Sequence, residues 1–190
     1  LLQEDESNSK STERLLEIVA DNIGRIDQII KDVLELNRRD RTQQEKFELS
    51  EFLTSFQSQF CAVEKVPTEH FLLESLSERN IAFDKRHLTQ ILWNLCKNGW
   101  EHSQKQAGSL KISCAEIGKT GLNIQILDDG SGVAEQDQSR LFEPFFTTKN
   151  TGNGLGLYIS RELAEANSAK LKYQALPAGS AFILNLKKSS

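Results

Sequence analysis

Two asparagines four residues apart, Asn94 and Asn98, project from one face of the segment LTQILWNLCKNGWEHS, which is otherwise apolar at Ile91, Leu92 and Leu95. Asparagine is a poor helix-interior residue because its amide competes for backbone hydrogen bonds. A pair in register therefore has two explanations. The amides bond to neighbouring backbone, or their oxygens serve as hard ligands for Mg2+ and phosphate-bound water. Gly99 follows directly and leaves room against the helix. Further on, the run LNIQIL ends in Asp128, followed by Gly130 and Gly132. Such a carboxylate either accepts a hydrogen bond from a ligand amine or forms an ordinary Asp-Gly turn. Phe142, Pro144, Phe145 and Phe146 then precede a Thr/Lys/Asn/Gly loop, as core anchors or as the hinge of a lid. Last, TGNGLGLYIS sets Gly152, Gly154 and Gly156 before an apolar-periodic segment. A helix N-terminus presents unpaired N–H groups and partial positive charge, and glycines let its backbone approach an anion. The alternative is a mobile loop. The spacing excludes a dinucleotide fingerprint, because Leu157 stands where the third glycine belongs, and no Gly-Lys-Ser/Thr marks a P-loop.

These residues need a frame, and the chain supplies one from Phe47 onward. KFELS reads as a short strand, with Ser50 capping the helix EFLTSFQSQF. HFLLESL and NIAFD read as strand pieces, and Asp84 as the N-cap of a helix running to about His102. SLKISCAEI and LNIQILDDG form a hairpin around Gly118 and Gly121. A helix from Leu155 to Ala166 carries Leu155, Ile159, Leu163 and Ala166 on one face, and KLKYQAL with SAFILNLK closes the chain as a hairpin. This order predicts an α+β fold, a two-layer sandwich of a mixed sheet with helices on one face, preceded by a long N-terminal bundle helix. In that helix Leu15, Val19, Asn22, Ile26, Ile29, Val33 and Leu36 alternate spacings of four and three, widened by Ile23, Ile30 and Leu34. The stripe belongs to a dimerisation helix or to an amphipathic helix packed on its own domain.

A chain of 190 residues can bury a core, and its net charge of −4 argues against a general nucleic-acid or anionic-membrane binder. No apolar run approaches the roughly 20 residues that cross a bilayer. Cys61, Cys96 and Cys114 are too scattered for a disulfide framework or a zinc site and read as reduced, small apolar residues.

Taken together, the asparagine-rich helix, the Asp-Gly-x-Gly turn, the FEPFF segment and the Gly-x-Gly-x-Gly turn resemble the N, G1, F and G2 boxes of the sensor histidine kinases of two-component systems. The resemblance covers about residues 12–188. FEPFFTTK and WNLCKNG look most like the branch containing the nitrogen regulator NtrB and the pilus-gene regulator PilS. The resemblance implies the Bergerat-type ATP-binding fold of the wider gyrase, chaperone, kinase and mismatch-repair group over residues 42–190. Residues 1–41 then correspond to part of the dimerisation hairpin, its second helix, and the chain to a fragment of a longer, bacterial protein.

By the same resemblance, Asn94 helps hold Mg2+, Asn98 works beside the metal and phosphates, and Lys149 reaches the γ-phosphate of ATP. Asp128 binds the adenine amino group, Gly130 and Gly132 shape the adenine pocket, and Phe142, Pro144 and Phe145 anchor the lid. Gly152, Gly154 and Gly156, with Leu157 beside them, bring the helix N-terminus to the phosphates. The implied partners are a response regulator and a second copy of the chain, joined through the helical hairpin. The implied location is cytoplasmic, as the inner portion of a sensor that is itself free or membrane-anchored.

Four departures accompany the resemblance. None of His70, His87 and His102 lies in the His-Asp/Glu-x-Arg-x-Pro context of a phosphoacceptor. Gln90 stands where hydrolytic relatives carry a glutamate base, and an amide cannot take a proton from water. Glu101 occupies a position where many kinases are basic, with Lys149, Arg140 or Mg2+ to compensate, and Asn167 replaces a glycine as the left-handed helix cap. Glu101 and the missing acceptor also suit a second expectation, a degenerate nucleotide-binding scaffold for dimerisation or docking without kinase activity.

Overall fold

The computed structural model describes residues 42–118, 121–148 and 152–186, together with residues 14–16, 19, 20, 22–24, 26, 27, 29, 30 and 34 of an N-terminal helical segment. From residue 45 the order of elements is β1 (Glu45–Glu48), α1 (Leu49–Glu64), a 3-10 turn, β2 (Phe71–Glu74), β3 (Asn80–Phe83), α2 (Lys85–His102), β4 (Leu110–Ile117) and β5 (Gly121–Asp128). There follow α3 (Glu135–Gln138), α4 (Gly156–Ala166), β6 (Lys170–Ala175) and β7 (Ser180–Leu186). The main sheet has the order β2-β4-β5-β7-β6. β2 and β4 run parallel and the other pairs antiparallel, which makes the sheet mixed, as the sequence predicts.

The two strand pieces at Phe47 and Phe83 do not join that sheet. β1 and β3 pair antiparallel with each other as a separate ribbon, extended by the Leu49 N–H bonding to the Arg79 carbonyl at 3.1 Å. Their local pattern marks strand character but not the choice of partner, which depends on where the intervening helix returns the chain.

Periodicity orients the two layers. On β4 the buried residues are Leu110, Ile112 and Cys114, and on β5 they are Leu122, Ile124 and Ile126, every second position. α2 answers with Leu88, Ile91, Leu92, Leu95 and Cys96, and α4 with Ile159, Leu163 and Ala164. α1 turns Leu49, Leu53, Phe56 and Phe60 inward at spacings of four and three. Phe56, Phe60, Phe71 and Trp93 meet there, largely edge to face, as their quadrupoles favour. Burying each such aliphatic side chain contributes roughly 1.5–3 kcal/mol, and this core fixes α2 and α4 across β5. All three cysteines are free and buried.

Capping explains the helix limits. Asp84 accepts from the N–H groups of Arg86 and His87 at 2.9 and 3.3 Å and starts α2 as its sequence suggests. Ser50 does not cap α1. Its N–H and hydroxyl both donate to the Glu48 side chain, which is the cap and begins the helix two residues earlier. At the far end of α4 the left-handed residue is Ser168, with φ 59°, and not Asn167, with φ −97°. The Asn167 amide is used elsewhere: its oxygen accepts from Asp84 N–H, and its nitrogen bonds to the Leu163 carbonyl and faces His87 Nδ1 at 3.0 Å.

In the N-terminal segment the described residues between 14 and 34 are helical. Leu15, Val19, Ile23, Ile26, Ile30 and Leu34 are exposed, while Ile29 packs against the core. Val33 and Leu36 lie outside the described residues.

Candidate functional site

Asp128 is the next inward position of β5 after Ile124 and Ile126, so the alternation that builds the core also turns this carboxylate inward. It is 8% exposed. One oxygen, Oδ1, accepts from the Gly130 N–H at 3.0 Å. Burial pushes the carboxyl above its usual range, the Gly130 bond pulls it back, and the neighbouring Asp129 pushes it up further. The floor beneath it is Gly99 of α2, where a Cβ would stand 3.0 Å from Leu110 Cδ1 and 3.4 Å from Asp128 Cβ. The room left by Gly99 is thus taken by Leu110 and the carboxylate itself.

The adjacent Asp129 does different work. Burial raises it, but hydrogen bonds from Gln104 N–H at 3.0 Å, the Ser109 hydroxyl at 2.8 Å and Gln106 hold it below the usual carboxylate range. Asp129 ties the loop after α2 to the end of β5, whereas the second oxygen of Asp128 has no hydrogen-bond partner among the described residues.

Around Asp128 the backbone passes closely. A Cβ at Gly130 would lie 2.6 Å from the His102 carbonyl oxygen. Gly132 has φ +72° and lies against Gly179 and the Tyr173 hydroxyl. At Gly179, with φ +101°, a Cβ would fall 1.8 Å from the Asp128 carbonyl oxygen. Gly179 carries no recognisable motif. Its role becomes visible only when the β6–β7 hairpin is laid on the end of β5, and Tyr173, which accepts from Val133 N–H at 3.0 Å, is the same kind of residue.

Asn94 faces α4. Its Nδ2 donates to the Gly156 carbonyl at 3.1 Å and to the buried Ser160 hydroxyl at 3.3 Å, and its Oδ1 accepts from Gln90 at 3.3 Å with a second lone pair left over. The bland and the functional expectations for this amide are therefore not exclusive. Asn98, one turn on, is half-buried, and its side chain makes no hydrogen bond among the described residues. α4 has no side-chain cap at its own N-cap position, although Asn153 accepts from Leu155 N–H at 3.0 Å. The first-turn N–H groups of Gly156, Leu157 and Tyr158 are left to a group outside the helix. From Asn94 to Gly99, α2 rises about 7.5 Å, which sets the axial separation between the α4 N-terminus and Asp128.

The three glycines of the turn are not equivalent. Only Gly154 has positive φ, +69°, and a Cβ there would lie 2.5 Å from Phe145 C and 2.7 Å from the Phe146 carbonyl oxygen. At Gly156 the nearest atom is Asn94 Cγ at 3.7 Å, ordinary contact. The aromatic segment divides as well. Phe142 packs edge-on against Phe182 of β7 at 6.4 Å, with the Arg161 guanidinium 5.8 Å above its ring. Phe145 is 68% exposed at φ +65°, a strained setting for an aromatic residue. Arg140 pairs with Glu143 at 3.2 Å and lies over Phe146 at 4.4 Å. The position expected of Lys149 lies outside the described residues. Of the histidines, His87 is buried at 2% exposure against Asp84 and Asn167.

A buried strand-end carboxylate, a glycine turn, and an uncapped helix N-terminus bridged to an asparagine helix define a class of ATP-binding domain. The chain belongs to it: the family described as histidine kinase-, DNA gyrase B-, and HSP90-like ATPase matches residues 83–190. Among curated relatives, the sensor protein kinase PilS of Pseudomonas aeruginosa is 34% identical over 177 residues, covering 92% of this chain and 33% of that protein. The chain spans about a third of the length of the curated relatives it matches most fully. The histidine kinase ThkA, solved in complex with the response regulator protein TrrA, superposes with a TM-score of 0.73 at 25% identity, covering 90% of this chain and 50% of that one. Acinetobacter baumannii histidine kinase AdeS has the same fold, with a TM-score of 0.71 at 22% identity over 93% of this chain and 85% of that one. Among the described residues no helix is long and apolar enough to cross a membrane.

Proposed function

We propose that the chain is the Mg-ATP-binding catalytic portion of a sensor histidine kinase, which phosphorylates a histidine and relays the phosphoryl group to a response regulator. One observation carries this: Asp128, whose second oxygen has no hydrogen-bond partner among the described residues, and the uncapped N-terminus of α4 both lie against α2, at Gly99 and at Asn94. Asp128 accepts from the adenine amine, with Gly130 and Gly132 along the base. Gly152, Gly154, Gly156 and Leu157 bring backbone N–H groups and the positive end of α4 to the phosphates. Phe142 anchors the lid in the core, and Pro144 and Phe145 move with it; Lys149 reaches the γ-phosphate.

Mg2+ fits the donor set. The spare lone pair of Asn94 and the uncommitted Asn98 amide offer one or two neutral oxygens, which suits an ion held mainly by phosphates and water. Among the described residues no group of three His, Cys, Asp or Glu could cage a metal by itself. The ion supplies charge neutralisation, while the protein positions the nucleotide and excludes hydrolysis. Gln90 serves that end: its amide donates to Asn94 and cannot activate water, so the γ-phosphate is kept for transfer.

Residues 1–41 belong to the dimerisation hairpin, and the exposed Leu15, Val19, Ile23, Ile26, Ile30 and Leu34 face a second copy. The fragment works in the cytoplasm and contacts neither nucleic acid nor membrane. The test is calorimetric titration of the chain with a non-hydrolysable ATP analogue, with and without Mg2+. Micromolar binding that strengthens with Mg2+ is expected, followed by transfer from ATP to a separately supplied acceptor helix; an intact chain that binds no nucleotide refutes the proposal.

A further inference from the structure

Tyr173 joins the turn that follows Asp128 to the aromatic packing that holds Phe142. It is an inward-facing residue of the edge strand β6, in register with Phe182 of β7. Its ring packs on Phe182 at 5.4 Å, and Phe182 in turn packs on Phe142, the residue at which the lid enters the core. Its hydroxyl accepts from the Val133 N–H at 3.0 Å, where the turn that begins at Asp128 ends. The same hydroxyl lies 3.4 Å from Ser180 Oγ. Ser180 is the Cα partner of Asp128 across β5 and β7, so both side chains stand on one face of the sheet. Both are buried.

Val133 N–H fills one acceptor position of the phenol oxygen, and the Tyr173 and Ser180 hydroxyls face each other with either able to donate. The next peptide group is held by Gln138 Nε2, which donates to the Val133 carbonyl at 3.0 Å. Resting on the ATP-binding reading, we infer that Tyr173 is a positioning residue of the nucleotide site: its hydroxyl fixes the end of the glycine turn and orients the Ser180 hydroxyl beside Asp128. The wall that meets the base is thereby formed before ligand arrives, and less ordering remains to be done on binding.

Tyr173→Phe removes the hydroxyl and keeps the ring on Phe182, so it separates this role from packing. In the 190-residue chain, amide hydrogen exchange at Val133 is read by NMR without ligand, and affinities for ATP, ADP and AMP are read by calorimetry. The Val133 amide of the unaltered chain is expected to exchange slowly, and about tenfold faster in the variant, as for one lost hydrogen bond. All three nucleotides should weaken by the same factor, about fivefold, because the defect lies at the base and not at the phosphates. A change in stability alone, with affinities unmoved, overturns the inference, as does a loss confined to ATP. Fast exchange at Val133 in the unaltered chain overturns it without any variant. An unaltered chain that binds none of the three overturns the ATP reading and this inference together. Binding that Tyr173→Phe leaves intact overturns the inference alone.

Discussion

Asp128→Asn should weaken nucleotide binding without weakening the fold. Asparagine keeps an oxygen for the Gly130 N–H, a bond of 3.0 Å, but turns the second oxygen into an N–H2 that meets the ligand amine donor to donor. Losing a hydrogen bond to a charged group costs about 1.5–3 kcal/mol, which is roughly a 10- to 150-fold loss of affinity. Stability moves differently. A carboxyl raised by burial takes up protons on folding, so the wild type loses stability as pH climbs from the ordinary carboxylate value through the raised one. The asparagine variant lacks that loss and should melt no lower than wild type at pH 7. Asp129→Asn is the control, because Asp129 gathers Gln104, Ser109 and Gln106 and faces no ligand. It should cost about 1–2 kcal/mol of stability and change affinity by less than about twofold. Calorimetric titration with an ATP analogue, paired with thermal melts of both variants, measures all four quantities. A folded Asp128→Asn chain that binds like wild type, or an Asp129→Asn chain that binds worse than Asp128→Asn, would refute the assignment.

Three further substitutions test other parts of the structure. Gly179→Ala drives a Cβ to 1.8 Å from the Asp128 carbonyl oxygen and should cost at least about 2 kcal/mol together with nucleotide binding, whereas Gly156→Ala meets nothing closer than 3.7 Å and should preserve stability in urea melts, so that any loss of affinity there reports on the phosphates. Asp84 is raised by burial but held lower overall by bonds from Gln43 and His87 N–H groups and by the His87 and Arg86 charges, so it stabilises above its unfolded value and loses that contribution as pH falls through its depressed one; Asp84→Asn should flatten the acid limb of a stability profile below about pH 4.

What the sequence made legible was whatever a local rule decides. The alternation of β5 and the 3–4 spacing of α2 follow from side-chain geometry within one element, and so do the Asp84 cap and the closing hairpin. Choices between competing local partners were less readable. Glu48 outbid Ser50 for the start of α1, and Asn167 left the left-handed position to Ser168 because Asp84, distant in sequence, needed its amide. Least visible were residues defined by close approach between elements. Gly179 looks like an ordinary hairpin glycine and Tyr173 an ordinary strand aromatic until β6 and β7 are placed beside Asp128. The glycine turn shows both sides: its place before α4 was readable, but the collision that demands Gly154 belongs to Phe145 and Phe146.

The position of Asp128 at the end of an alternating strand has a consequence for how such a domain can change. Because side chains on a strand switch faces at every step, the site depends on parity: Asp128 lies two and four positions on from the core residues Ile126 and Ile124. Substitution among apolar residues in Leu122, Ile124 and Ile126 shifts stability by increments and leaves the carboxylate where it is. Adding or deleting one residue between Leu122 and Asp128 throws the carboxylate to the opposite face of the sheet, whatever residue is added. Length variation is free to accumulate in the turn between β4 and β5, and is barred from the strand a few residues later.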